Sequence, residues 1–586
     1  MSHPPLRSLA VHQSIKEKVA LLVEQALSAA IDGNELDLGG SAPPRVLLDR
    51  PKSKEHGDFA TNLAMVLARP ARQSPRKIAE LLMARLATVD KKELLESIEV
   101  AGPGFINLRV KPSAWFKALG EVRKRGESFG RQEIGRGKKV NVEYISANPT
   151  GPLHVGHGRG AVTGDVCASL LQWTGFEVTR EYYVNDFGNQ VDTLARTVHV
   201  RYLQFLGEDV PLPEDAYPGE YVIPVARALL ERDGDRWKGA SEADWRPEVR
   251  TFAVARMLEL IKEDLAAFNM HFDVYSSERD LHEDGAVSHC LDLLGKKGLL
   301  YEAEGGGRLF RSTEFGDDKD RAVVKRDGAF TYLAGDMAYH LNKMERGFQW
   351  LVNVWGADHA GYIPRMKAAV EALGGRPDLL EVITVQLVHL TRGGQPVRMG
   401  KRTGDFVTLR DVIDEVGRDA TRLLFIARRS DAQLEFDLEL AKRQSMDNPV
   451  YYVQYGHARI CAILRRAQEE GHVIPQDVPS PDVLAALGLP EELDLAKRAL
   501  SFPEVVAGAA QSLEPHRMVF YLQETIAAFH AYYTRYKNTD RVLSEDEQKT
   551  TARLFLVGAL RQVLKNGLAI LGVDAPERMD RPPEDD

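Results

Sequence analysis

Two histidines three positions apart close the run Ala147-Asn148-Pro149-Thr150-Gly151-Pro152-Leu153-His154-Val155-Gly156-His157. An apolar stretch, Val140 to Ile145, precedes the run, and a helical period from Gly158 to Trp173 follows it. The pattern predicts a strand, a tight turn and a helix entry. At a helix N-terminus the unpaired backbone N–H groups and the positive end of the dipole favour a phosphate. Imidazoles from His154 and His157 would add donors where charge grows at phosphorus. Gly156 leaves no side chain between them, so a flat base could approach the backbone. Histidines beside a glycine also cap helices or bind metals. Position favours the phosphate reading, because nucleotide sites in parallel α/β sheets lie at strand carboxyl ends.

Roughly 240 residues further on stands Pro396-Val397-Arg398-Met399-Gly400-Lys401-Arg402-Thr403-Gly404-Asp405. Alone, this basic loop reads as a solvated turn. Paired with a histidine turn on a nucleotide-binding sheet, it becomes a clamp for the β- and γ-phosphates of ATP.

Positioning such groups takes more than one core: 586 residues exceed what a single hydrophobic core organises, so two to four domains are expected. From Ser14 to Ala30 the residues Ile15, Val19, Leu22, Val23, Ala26 and Leu27 share one helical face. The basic, turn-rich Lys52 to Asn62 leads to a second helix, Ser74-Pro75 begins a third, and Pro103 to Leu108 reads as a strand. These make an N-terminal α+β domain over 1–115. After Lys139, strands alternate with helices: Glu177 to Val184, Ala322 to Lys325, Leu351 to Trp355 and Val382 to Leu390 are the later strand candidates. Gly207 to Trp245, rich in Pro, Gly, Asp and Glu, reads as a surface insertion. The chain is thus predicted to be multidomain α/β. A Rossmann-like doubly wound parallel sheet occupies 125–430, with an insertion at about 200–270. Residues 445–586 are predicted as an all-α helical bundle. Its Tyr451, Tyr452, Tyr455, Phe529, Tyr532, Tyr533 and Tyr536 stand among Arg459, Arg465, Arg466, Arg535 and Lys537. Such interleaving suits a core with a solvated face, and it also suits platforms for unpaired bases.

The net charge of −9 announces no nucleic acid, although local patches rather than totals decide that question. No apolar run approaches the roughly 18 residues that span a bilayer, and Met1 to Ala10 lacks a secretory pattern. A cytoplasmic protein without membrane contact is expected. Cys167, Cys290 and Cys461 show no paired spacing, which argues against a zinc ribbon or a disulfide framework and predicts no structural metal.

With these motifs in place the chain resembles the class I aminoacyl-tRNA synthetases and, closely, the bacterial-type arginyl-tRNA synthetases. His154-Val155-Gly156-His157 matches the first class signature. Arg398-Met399-Gly400-Lys401 stands where the second, Lys-Met-Ser-Lys, belongs, with Arg for the first lysine, Gly for the serine and the second lysine kept. The resemblance runs from Lys54-Glu55-His56-Gly57-Asp58 to Ala575-Pro576-Glu577-Arg578-Met579. It implies arginine activation by ATP with accompanying Mg2+, then transfer to the 3′ end of tRNA(Arg). It also implies tRNA outer-corner contact by the N-terminal domain, anticodon reading by the bundle, and a monomer.

A pocket that selects a guanidinium over an ammonium needs a carboxylate held for paired hydrogen bonds. Glu143, before the histidine motif, and Asp336, in Tyr332 to Tyr339, are candidates. An ordinary surface or ion-pair role is the alternative for each. By resemblance, Asn148 holds the α-amino end of arginine, Tyr332 and Asp336 meet the guanidinium side, and Asp186 and Gln190 line the same pocket. Gly356, Asp358 and His359 in Trp355 to Gly361 help hold ATP, joined by Gly156, Met399, Lys401 and Arg402. His154, His157 and Lys401 are the implied catalytic residues. The rivals are a synthetase for another amino acid, an adenylyltransferase and a catalytically silent RNA-binding paralogue.

Overall fold

The computed structural model describes residues 14–51, 53–397 and 407–580. Its contacts divide the chain into two compact units. One holds the described residues up to 129 with 460–502 and 527–563; the other holds 130–459, 503–526 and the described residues from 564. The four long C-terminal helices, Pro449–Glu469, Pro490–Ser512, His516–Tyr536 and Glu547–Leu571, are divided between them.

In the first unit, Phe105–Val110 is the middle strand of an antiparallel sheet, flanked by Phe59–Thr61 and Leu95–Ala101. Helix Ile15–Asp32 begins at a reciprocal cap in which Ser14 and Glu17 bond each other's backbone N–H. Ser74 caps Pro75–Asp90, whose first position suits proline because that N–H has no helical partner. Val19, Val23, Leu82, Leu86, Ile106 and Leu108 meet in the core. Among the C-terminal helices of this unit, the buried Arg553 donates to Glu492 at 2.7 Å and to Asp540 at 2.7 Å. Helix Glu547–Leu571 is long and apolar enough to cross a membrane, contrary to the sequence expectation. However, 78% of its apolar window is buried inside the protein, so its hydrophobicity serves the core.

The second unit carries five parallel strands: β1 (Lys139–Glu143), β2 (Glu177–Val184), β3 (Val274–Ser277), β4 (Trp350–Gly356) and β5 (Leu380–Val385). Their order is β5-β4-β1-β2-β3. The order reverses between β1 and β4, and a crevice at the carboxyl ends of such a pair is where doubly wound sheets take ligands. Helix α1 (Val155–Trp173) follows β1 and lies directly on its neighbours. A Cβ on Gly164 would come within 2.3 Å of the Tyr144 ring, and one on Gly158 within 2.5 Å of Phe425. Helices α2 (Asn189–Phe205) and α3 (Tyr332–Glu345) follow β2 and precede β4.

Three sequence readings change here. Ala322 to Lys325 does not join the parallel sheet: Arg321–Val324 pairs antiparallel with Arg308–Phe310 in a separate sheet, since short turns rather than crossover helices link those strands. Val382 to Leu390 is two strands. Leu380–Val385 stays in the parallel sheet, whereas Val388–Arg392 pairs with Leu434–Asp437. The stretch 207–245 is not merely a surface loop. It contains helix Val222–Asp233, and its Leu229, Trp237 and Trp245 pack with Leu194, Val198 and Met257 in a core of their own.

Two buried arginines lock α1 to later parts of the unit. Arg159 donates to the carbonyls of Gln386, Phe425, Arg429 and Ala432. Arg422 bonds the Asp165 carboxylate on α1 and the carbonyls of Phe268 and Leu571. Removing one partner of a buried ion pair leaves the other charge uncompensated. Arg422→Ala is therefore expected to destabilise the protein by about 3–5 kcal/mol, read as a lower urea midpoint in circular dichroism.

Candidate active site

Beyond β1 the backbone turns sharply through Ile145 and Ser146, at φ 73° and 41°. A β-branched residue in the left-handed region is strained and persists only where its surroundings hold it. Here the Ser146 hydroxyl donates to Glu143 and accepts from the Tyr183 N–H, while the Tyr182 hydroxyl donates to the Ala147 carbonyl at 2.8 Å. The turn delivers the chain to the N-terminus of α1.

That terminus is capped by the two histidines. His154 Nδ1 accepts from the Gly156 N–H at 3.1 Å, and His157 Nδ1 accepts from the His154 N–H at 3.3 Å. Their rings stack with centroids 3.7 Å apart. An imidazole that accepts at Nδ1 carries its proton at Nε2, so both rings are set as donors. Burial, followed by the neighbouring His154, pulls His157 down to about 3, which keeps it neutral. A Cβ on Gly156 would lie 2.8 Å from the His154 ring, so glycine makes room for the imidazole.

The second basic motif, with Arg398, Met399, Gly400, Lys401 and Arg402, lies outside the described residues. Both flanks are described. On one side Val397 N–H bonds the Leu390 carbonyl. On the other, Val155 N–H donates to the Val407 carbonyl at 3.2 Å, Leu409 N–H donates to the Leu153 carbonyl at 2.7 Å, and His154 bridges Thr408. The chain leaving that motif is thus tied to the histidine turn itself.

Next to this turn the structure gathers carboxyl groups around the half-buried Tyr183. Glu278, Asp336, Glu143 and Asp186 all bear on its hydroxyl, which burial and these four charges raise far above its usual range. Their partners differ. Glu143 accepts from the fully buried Lys343 at 2.6 Å, and Lys343 reaches Asn353 as well. Behind it, Glu181 is held by Arg346, Asn141, Ser276 and Tyr339. Asp186 accepts from the Ser277 hydroxyl and the Arg279 N–H. Asp336 accepts from the Tyr362 hydroxyl at 2.6 Å, and burial raises its carboxyl to about 6. Glu278, at the end of β3, is raised to about 7 by burial and then by Asp336 and Asp186. Glu278, Tyr183, Lys343 and Tyr362 carried no signal in the sequence reading; burial of Glu278 directly after a strand became visible only with the fold.

Other expected residues fall close by. Asn148 donates to Gln190 at 2.6 Å and accepts from Asn185 at 3.0 Å. Tyr332 stands one helical turn before Asp336 on α3 and is 84% exposed. Gly356 ends β4, across the crevice from the histidine turn, and Asp358 and His359 follow it as exposed neighbours 3.6 Å apart. Tyr362, on the same short segment, links this side to Asp336.

Comparison with known proteins agrees along the whole chain. Family models match in three parts: "Arginyl tRNA synthetase N terminal domain" at 17–110, "tRNA synthetases class I (R), catalytic domain" at 122–212 and 241–442, and "DALR anticodon binding domain" at 453–579. An arginine–tRNA ligase of Anaeromyxobacter sp. (strain Fw109-5) is 50% identical over 603 residues, covering 97% of this chain and 98% of that one. One from Syntrophotalea carbinolica is 50% identical over 565 residues, covering 96% and 100%. The Thermus thermophilus arginyl-tRNA synthetase structure shares the fold, with a TM-score of 0.73 over 96% of this chain and all of that one at 23% identity.

The cap predicts an unusual titration. In 1H–15N spectra of the ring nitrogens, His157 is expected to hold the Nε2–H tautomer and to remain neutral as pH falls to 4, with a midpoint near 3. A midpoint near 6.5 would disprove the buried, backbone-bonded ring.

Proposed function

Because this chain belongs to the class I arginyl-tRNA synthetase family, we propose a division of labour among its residues. Its reaction is arginine–tRNA ligation. The carboxylate of arginine attacks the α-phosphorus of ATP, releasing diphosphate and forming arginyl-adenylate. The terminal ribose hydroxyl of tRNA(Arg) then takes the arginyl group and releases AMP.

His154 and His157 present Nε2–H donors to the α-phosphate at the N-terminus of α1, stabilising the charge that builds there by preorganised hydrogen bonds. Lys401, with Arg402 and Met399, holds the triphosphate from the opposite side. The observation carrying this reading is the pairing of Val407–Leu409 with Leu153–Val155, because Lys401 stands only six positions before Val407. Gly356, Asp358 and His359 meet the adenosine at the end of β4. Mg2+ enters with ATP as part of the substrate. Such an ion takes its ligands chiefly from phosphates and water.

Asp336 and Glu278 grip the guanidinium. Among the described residues neither forms an ion pair with a cationic side chain, whereas Glu143 shapes the pocket through Lys343. Asn148, positioned by Gln190 and Asn185, takes the α-amino group, Tyr332 closes over the side chain, and Asp186 supplies further negative potential. Residues 1–115 contact the outer corner of tRNA, 125–430 perform the chemistry, and 445–586 read the anticodon. A cavity of about 320 Å³ bounded by Tyr533, Tyr536, Lys537 and Arg541 offers aromatic faces beside cations in that last region. The protein works as a monomer in the reducing cytoplasm, consistent with three buried, unbridged cysteines.

Removing one preorganised donor of this kind costs roughly 10²–10³ in rate. Replacing either His154 or His157 by alanine is expected to slow arginine-dependent adenylate formation by that factor, and Lys401→Ala to do likewise. Wild-type charging by His154→Ala/His157→Ala would overturn the assignment. Asp336→Asn and Glu278→Gln are each expected to raise the KM for arginine by roughly 30-fold or more, as for a truncated charge pair, while the KM for ATP moves only a few-fold. Both carboxyls must be ionised to pair with the guanidinium. The KM for arginine should therefore fall as pH rises through about 6 to 7, and a flat profile would remove them from the pocket.

A further inference from the structure

One aromatic group beside the amino-acid pocket has no part in the roles above. The loop after β2 exposes Phe187, 41% accessible although it is a large apolar side chain. Its ring stacks on His282 with centroids 4.2 Å apart and planes 13° from parallel. His282 in turn lies 6.2 Å from Phe330. Burial lowers His282, so the stack is neutral. Phe330, His282 and Phe187 form a run of flat groups that ends in an open aromatic face.

This face is held in place. Asp186, the residue before Phe187, is bonded to the Ser277 hydroxyl and the Arg279 N–H, which fixes the loop to the segment bearing His282. Gly188, the residue after it, has nothing within 4 Å of the position a Cβ would take. The stack also borders the pocket: His282 Nε2 is 3.7 Å from the Cβ position of Gly335, the residue before Asp336.

Position selects the occupant. ATP is assigned to the crevice between β1 and β4, whereas Phe187 follows β2 and His282 follows β3, on the opposite side of β1. Neighbouring strands are about 4.8 Å apart, so β2 and β4 are separated by two such spacings and the adenine cannot serve both ends. The group still to be brought to the arginyl carbonyl is the ribose at the 3′ end of tRNA. Unpaired nucleotides are held by stacking on aromatic faces, which tolerates any base.

We propose that the Phe187–His282 stack is the platform on which an unpaired base of the tRNA 3′ end rests while its ribose reaches the adenylate. The proposal rests on the assignment of the amino-acid pocket above.

Three substitutions test it: Phe187→Ala, Phe187→Leu and Phe187→Trp. Alanine and leucine are expected to raise the KM for tRNA roughly 5- to 100-fold, the range of one lost base stack. Tryptophan should stay within a few-fold of wild type, and arginine binding should be unchanged in all three. Leucine preserves apolar bulk against His282, so a purely structural role would leave that variant active. In the Phe187→Trp variant, the fluorescence added over wild type should be quenched by intact tRNA but not by tRNA lacking its last three nucleotides. Normal tRNA kinetics in Phe187→Leu, equal quenching by truncated tRNA, or quenching by ATP alone would each overturn the proposal. A wild-type protein that charges no tRNA with arginine would instead refute the ligase reading beneath it.

Discussion

Two imidazoles that bond each other's turn of backbone set the terms for the rest of this site. A helix N-terminus leaves N–H groups in want of acceptors, and side chains such as Ser or Asp usually supply them. Here His154 and His157 do so through Nδ1. Capping and hydrogen-bond donation, which the sequence offered as competing readings, are compatible in this arrangement: a ring that caps through Nδ1 carries its proton on Nε2. The arrangement is narrow. It needs a residue without a Cβ at Gly156, a strained approach through Ile145 and Ser146, and a helix pressed so closely on Tyr144 that only glycine fits at Gly164.

The carboxyl groups nearby follow a different rule. Burying several like charges in one place is unfavourable unless each finds a counter-charge or takes up a proton. Lys343 and Arg346 hold Glu143 and Glu181, while Asp336 and Glu278 are raised instead. The cluster therefore avoids most of its repulsion, two carboxyls through a neighbouring cation and two by holding a proton more tightly.

Much of this was legible in sequence because its signals are local. The run from Val140 to Trp173 predicts a strand, a turn and a helix from periodicity and turn residues, and β1 with α1 occupy those places. The alternation after Lys139 pointed to a doubly wound sheet, and the five parallel strands fit it. What failed depended on distant partners. Ala322 to Lys325 has the composition of an inner strand, but hairpin neighbours draw it into another sheet. Val382 to Leu390 reads as one apolar run, but the chain changes sheets in its middle. Glu278 lies in a stretch without a motif, and Lys343 meets Glu143 from 200 residues away. No spacing rule reaches that far.

The bond from Arg422 to the Leu571 carbonyl bears on how the molecule is made. Helix α1 carries the histidine turn, and its Asp165 is paired with an arginine that also bonds the end of helix Glu547–Leu571. Tyr451, Gln454 and His457 likewise bond carbonyls of Asp580, Asp574 and Pro576. A nascent chain can build its parallel sheet early, yet these bonds stay unmade until residues 571–580 have emerged from the ribosome, and a copy truncated before them lacks that whole set of contacts.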